Sequence, residues 1–331
     1  MNSQVKKVTS LLDIESNDVR SIGIWGMGGI GKTKIVRVLY QRYRHRFEAA
    51  CFLDVGTNGL TWLVQVVICK LLGEDMTLTS KHDGVIILEN RLRWKKVLFI
   101  LDDVNHREQL EFLVRGIEWF GSGSKIILTA RDKHLLTSLV GDNVHEVQLL
   151  TEDEALELFS GHAFREKSPK KDFMELSREV VEYAGGLPLA LQVLGSSFYR
   201  HNKEQSRDMI IRLKRISPND ILGKLRLSFD RLDKDEKEIF LDIAFLVITA
   251  INIYNFNLYV ELVLETRGFK LIRDYLIDKS LLSINIHNRI VMHNMIRDMG
   301  ANVIREEYVN SRIWLLEVVR DHFKGKLISN V

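Results

Sequence analysis

The 331 residues contain two cysteines, Cys51 and Cys69, and no CxxC pair. That excludes a disulfide framework and a thiolate zinc site. It leaves a reducing compartment, cytosol or nucleus, as the expected setting. There is no excess of either charge: 47 Lys and Arg stand against 44 Asp and Glu, a net charge of +3. Such a balance gives no electrostatic footprint for nucleic acid or for a membrane surface. The ten histidines show no metal-ligand spacing. No internal repeat is present, in particular no leucine-rich period of 20–29 residues, and no low-complexity segment. No secretory signal is expected, because Lys6 and Lys7 are not followed by an unbroken apolar stretch. One uncharged run approaches membrane length, the 18 residues Ile243–Val260. Asn252, Asn255 and Asn257 crowd its second half, so the expectation is a buried helix followed by an irregular loop.

Apolar residues make up 46% of the chain, enough for real cores, and the length accommodates two or three domains. Through residue 150, strand patterns alternate with helical ones. The strand candidates are Val19–Trp25, Cys51–Val55, Val97–Leu101, Lys125–Ala130 and Val144–Leu149. They are short and apolar, and the middle one, "VLFIL", shows no alternation, the mark of a parallel sheet covered on both faces. Thr61–Leu72 and Val85–Arg93 are candidate crossover helices. From Thr151 the style changes to helices. Thr151 with Glu154, and later Asp233 with Glu236, read as capping boxes. Gly185-Gly186 breaks a helix, and Pro188 suits the first turn of the next. Ile239, Phe240, Ile243, Ala244 and Val247 make the apolar face of a further helix. The run Lys203–Arg215 reads as a solvated helix face. Residues 217–220 read as a linker, and "SLLSINIHNRIVMH" as a hairpin turning at His287-Asn288, which gives a winged-helix third unit. The expected segments are 1–150, 151–218, 219–308 and a tail, 309–331.

Three places carry chemistry. "GMGGIGKT" fits G-x-x-x-x-G-K-[ST] at Gly26, Gly31, Lys32 and Thr33. Glycines let backbone N–H groups approach phosphate oxygens, and the following helix directs its positive end at them. Lys32 would reach the β- and γ-phosphates, and Thr33 would place its hydroxyl on Mg²⁺. "VLFILDDV" ends an apolar strand in carboxylates; Asp102 is the candidate metal holder and Asp103 the candidate for orienting the attacking water. A solvated turn after a buried strand is the plain alternative. "KIILTAR" ends the fourth strand with Thr129 and Arg131, where a cation can sense a γ-phosphate or simply lie on the surface.

The collinear series "GMGGIGKT", "CFLDV", "LFILDDV", "GSGSKIILTARDKHLL", "HEVQLLTEDEALELF", "GGLPLALQVLG", "FLDIA" and "MHNMIRDMG" resembles the NB-ARC module, a STAND-type P-loop NTPase, of plant intracellular immune receptors. Asn105 and "TARDKHLL" are similar to the Toll/interleukin-1-receptor-type subclass of NB-LRR disease-resistance proteins. The match covers roughly residues 8 to 305, the nucleotide-binding module without TIR or leucine-rich-repeat regions. The resemblance implies a nucleotide-binding α/β domain, a helical subdomain and a winged-helix subdomain. It implies a switch that is closed with ADP, open and able to oligomerise with ATP, and a weak ATPase at most, acting in the cytoplasm or nucleus on other protein domains or receptor chains. It also implies that Gly28, Gly29, Ile30, Gly31, Lys32 and Thr33 bind phosphates, that Asp102 and Asp103 serve Mg²⁺ and water, and that Arg131 meets the γ-phosphate. Pro188 would pack on the nucleoside, and His293 would bond the β-phosphate of ADP. The sequence departs from the family at Thr129-Ala130-Arg131, usually Thr-Thr-Arg, and at Met292-His293-Asn294, usually Met-His-Asp. It also lacks a short Val-Gly segment ahead of residue 8 that touches adenine in the family. Two other functions are compatible with parts of the sequence. One is a degenerate interaction module without nucleotide. The other is a winged-helix DNA-binding regulator, against which the mixed charges Arg289, Arg297, Arg305 and Arg312 with Asp298, Glu306 and Glu307 argue.

Overall fold

The computed structural model describes residues 2–55, 59–78, 80–114, 117–199, 201–213, 222, 225–226, 229–230, 232–249, 269–279, 281–284 and 290–307. The expected linker at 217–220, the Asn-rich 251–257, the hairpin turn at His287-Asn288 and the tail 309–331 lie outside them, as does the side chain of Asn294. The chain forms two compact units, residues 1–148 and 149–331.

The first unit carries five parallel strands in the order β2-β3-β4-β1-β5. They are β1 (Arg20–Trp25), β2 (Ala49–Asp54), β3 (Val97–Val104), β4 (Lys125–Ala130) and β5 (Val144–Glu146). Their positions follow the apolar runs closely, because a strand buried on both faces needs apolar residues at every position. In β3 only Asp103 is less than fully buried. Alternate side chains face opposite sides of the sheet. Phe99, Leu101, Ile126 and Leu128 join one core with α3 (Leu60–Leu72), α4 (Lys81–Leu92) and α6 (Lys133–Val140). Ile22, Ile24, Leu98, Ile100 and Ile127 are equally buried on the other side. Gly23 permits α6 to lie close on β1, since a Cβ there would stand 2.9 Å from that of Leu136. The remaining helices of this unit are α1 (Asn2–Leu12), α2 (Lys32–Tyr43) and α5 (Arg107–Leu113).

The second unit is helical: α7 (Glu152–Ala163), α8 (Met174–Ala184), α9 (Pro188–Phe198), α10 (Lys203–Leu213), α11 (Lys234–Thr249), α12 (Phe269–Asp278) and α13 (Asn294–Glu307). Both capping boxes are present: Glu154 N–H donates to Thr151 Oγ1, and Glu236 N–H to Asp233 Oδ1, each with the reciprocal bond. Pro188 opens α9. The buried face of α11 includes Ile239, Phe240, Ile243 and Ala244 as expected, with Leu241 and Leu246 added and Val247 only half-buried. Packing of α11 against α13 decides this: Gly300 of α13 lies against Ala244 and Phe240. Lys203, Glu204, Arg207 and Asp208 of α10 are exposed. A short antiparallel pair, β6 (Ser283–Ile284) and β7 (Ile290–Val291), precedes α13. Among the described residues no helix is long and apolar enough to cross a membrane.

Candidate functional site

The loop from β1 to α2 turns sharply because three of its glycines take positive φ: Gly26 at 152°, Gly29 at 79° and Gly31 at 103°. Gly31 is the left-handed residue just before α2, a conformation that strains any side chain with a Cβ. Ile30 and Met27 are buried and anchor the loop. Lys32 is buried too, and its Nζ donates to Gly26 O at 2.6 Å and Met27 O at 3.0 Å. The ammonium therefore lies inside the curl of the loop. Burial lowers its pKa to about 7, Arg131 adds to that lowering, and Asp103 and Asp102 oppose it. A desolvated cation held this way is best complemented by an anion.

Asp102 ends the buried part of β3 and is 2% exposed. Thr129 of β4 donates its hydroxyl to Asp102 Oδ1 at 2.6 Å, and the Thr33 hydroxyl lies near enough to lower the pKa of the same carboxyl. Burial pushes the carboxyl pKa up; the two hydroxyls pull it back. Thr33 and Asp102, expected together on sequence grounds, do meet. A hydroxyl and a carboxylate are hard oxygen donors, the kind Mg²⁺ takes one or two of while keeping waters and phosphate oxygens. Among the described residues no group of three or more His, Cys, Asp or Glu could hold a metal by itself. Asp103 has a φ of 58°, and its Oδ1 lies 3.5 Å from Arg131 Nε.

Gly28 to Thr33, Asp102, Asp103 and Arg131 thus gather at the carboxyl ends of β1, β3 and β4, where open α/β sheets bind ligands. One contributor was not singled out by the sequence, and another was named there without a partner. Trp25 donates its indole N–H to Arg131 O at 3.1 Å, holding the end of β4 against the end of β1. Thr129 joins Asp102 as described. The strand order, with β4 between β1 and β3, brings Trp25 into the site and gives Thr129 its partner.

Pro188 and His293 belong to the second unit. Pro188 is half-buried at the first turn of α9. Met295 N–H donates to His293 Nδ1 at 3.1 Å, and His293 Nε2 lies 3.2 Å from Gly185 O. Since Nδ1 accepts, the proton sits on Nε2 and is donated to that carbonyl. Burial lowers the imidazole pKa, and the Gly185 bond works against it. The ring is therefore a neutral donor held between two main-chain groups. Gly185, a partner the sequence did not reveal, has φ of 56°, and a Cβ there would lie 2.8 Å from His293 Nε2.

Comparison with known proteins agrees with this construction. The profile of the NB-ARC domain family matches residues 1–169. That of the Roq1-like disease-resistance winged-helix domain matches residues 233–308. TMV resistance protein N of Nicotiana glutinosa is 37% identical over 97% of this chain and 29% of its own length. Disease resistance protein RUN1 of Vitis rotundifolia is 36% identical over 95% of this chain and 24% of its own. The chain therefore spans about a quarter of the length of these relatives. In fold it is similar to a Walker-type ATPase of Pyrococcus abyssi, with TM-score 0.59 and 13% identity over 90% of this chain and 95% of that one. It is also similar to the Aeropyrum pernix ORC2 protein, with TM-score 0.55 and 14% identity over 93% and 94%. A glycine loop after β1, a carboxylate-ended β3 and a winged-helix match stand in one order, and the NB-ARC profile covers half of the sequence: the chain belongs to the NB-ARC family.

Proposed function

We propose that this chain is the ADP- and ATP-binding switch module of a plant immune receptor, holding nucleotide with Mg²⁺ and hydrolysing it slowly at most. The observation that carries the reading is the cluster at the strand ends: buried Lys32 in the glycine loop, with Thr33 beside the Asp102 carboxylate. In it Gly28, Gly29, Ile30 and Gly31 cradle phosphates, Lys32 gives up its loop carbonyls to contact the β- and γ-phosphates, and Arg131 meets the γ-phosphate. Thr33 and Asp102 would hold the metal, and Asp103 would orient the attacking water. Bound Mg²⁺ would neutralise phosphate charge. Pro188 packs on the nucleoside, and His293 offers its Nε2 proton to the β-phosphate of ADP, exchanging the Gly185 carbonyl for it. The functional segments are 1–150 for nucleotide, 151–218 and 219–308 for closure over it, and 309–331 as a tail. The setting is cytoplasmic or nuclear, with other protein domains or a second ATP-bound chain as partners.

Protein purified without added nucleotide is expected to carry about one ADP per chain, released on denaturation and read by chromatography. Turnover of ATP is expected well below the ordinary enzyme value of about ten per second, since release waits on motion of several segments. Nucleotide-free protein that also fails to bind added ADP, or turnover at ordinary enzyme rates, would sink the switch.

A further inference from the structure

The inference concerns Thr129 and rests on the nucleotide-switch reading. β3 and β4 pair Leu101 with Leu128 and Val104 with Ala130. Asp102 and Asp103 therefore stand together opposite one residue, Thr129. Two residues against one is a β-bulge, a device that re-aims side chains beside functional sites. Here it puts Asp103 at a φ of 58°, a left-handed conformation uncommon for a residue with a Cβ. The Thr129 hydroxyl satisfies the Asp103 N–H at the bulge and also holds the Asp102 side chain. It accepts from Asp103 N–H at 2.9 Å and donates to Asp102 Oδ1 at 2.6 Å. A hydroxyl has one proton and an N–H can only donate, so this direction is fixed. Thr129 is 0% exposed, so water does not compete.

One oxygen atom thus sets the Asp102 carboxylate and the backbone that carries the Asp103 carboxylate toward Arg131. We propose that Thr129 is a positioning residue for the Asp102–Asp103 pair, required for the Mg²⁺-dependent part of nucleotide affinity and not for the part supplied by the glycine loop. A buried threonine that only stabilises the sheet would affect both parts alike. Removing an outer partner of a metal-holding carboxylate typically costs about 10–100-fold in metal affinity or activity.

The test is calorimetric ADP affinity of the full chain in Mg²⁺ and in EDTA, for the unmodified protein, Thr129→Val and Thr129→Ser. Valine keeps the shape and removes both bonds; serine keeps the hydroxyl. In Mg²⁺ Thr129→Val is expected to weaken ADP about 10–100-fold, with affinity in EDTA unchanged and serine restoring the Mg²⁺-dependent gain. If the valine variant does not fold, Thr129→Cys, which retains a weak thiol donor, is expected to show the same split at smaller size. Equal losses with and without Mg²⁺, or no loss at all, overturn the proposal while unmodified protein that binds ADP keeps the switch. An unmodified chain that binds no ADP overturns the switch and this inference with it.

Discussion

In residues 1–148 two buried charged groups lie beyond the carboxyl ends of β1 and β3, Lys32 against loop carbonyls and Asp102 against the Thr129 hydroxyl. In residues 149–331 the titratable group at the expected site is the half-buried His293, neutral, set on the turn between α8 and α9 and held by main-chain atoms. The first arrangement stores charge that a ligand can complement, on a sheet whose core does not depend on it. The second is part of how the helices fit, because Gly185 and Gly186 must both adopt left-handed backbone for it. A site on strand ends can therefore lose its chemistry and keep its fold, whereas a site on a helix–helix turn cannot.

The largest test of that contrast is Gly186→Ala. Gly186 has φ of 74°, and a Cβ would stand 2.5 Å from Leu150 O, the backbone of a residue whose own N–H donates to Gly186 O at 3.1 Å. The left-handed conformation alone costs roughly 1–2 kcal/mol for an L side chain, and displacing Leu150 adds to it. Denaturant melts should show residues 149–331 destabilised by about 2–4 kcal/mol, with proteolysis starting there and the Trp25 environment preserved. Early loss of the sheet unit instead would break the comparison.

The converse variant is Lys32→Met. Nucleotide binding should vanish in calorimetry, while the nucleotide-free protein melts unchanged or higher by on the order of 1 kcal/mol, because a desolvated cation has been removed. The pH dependence sharpens this. With a folded pKa lowered to about 7 from 10.5, the unfolded chain holds a proton that the folded chain has released between those values. Stability then rises with pH across that window, and Lys32→Met should flatten the rise. A methionine variant that retains ADP affinity would remove Lys32 from the site.

The smallest effect belongs to His293. Its folded pKa lies below the ordinary 6.5, so below pH 6.5 the unfolded chain takes up protons first and stability falls as pH falls. Protonation also ends acceptance from Met295 N–H. His293→Gln should melt slightly lower than the unmodified protein at pH 7.5, and the difference should shrink toward pH 5. A difference that grows on acidification would mean the ring is charged in the fold.

Local signals made much of the first unit legible. Apolar runs located all five strands to within a few residues, and the glycine loop and the Asp102-Asp103 pair stood at their ends. The two capping boxes were readable because each is closed within three residues. The helix α1 is absent from the sequence reading, although Val5, Val8 and Leu12, all buried, recur at helical spacing. In α11 the packing partner, not the period alone, chose Leu246 over Val247.

The sequence by itself determined where the glycine loop lies, which strand would end in carboxylate and where α7, α9 and α11 would start. These depend on neighbours along the chain. Tertiary structure alone decided that Thr129 opposes two aspartates, that Trp25 holds the Arg131 carbonyl and that His293 rests on Gly185. Those pairs are 27, 106 and 108 residues apart. Their meeting depends on strand order, on one bulge and on helix packing, and no local periodicity records any of the three.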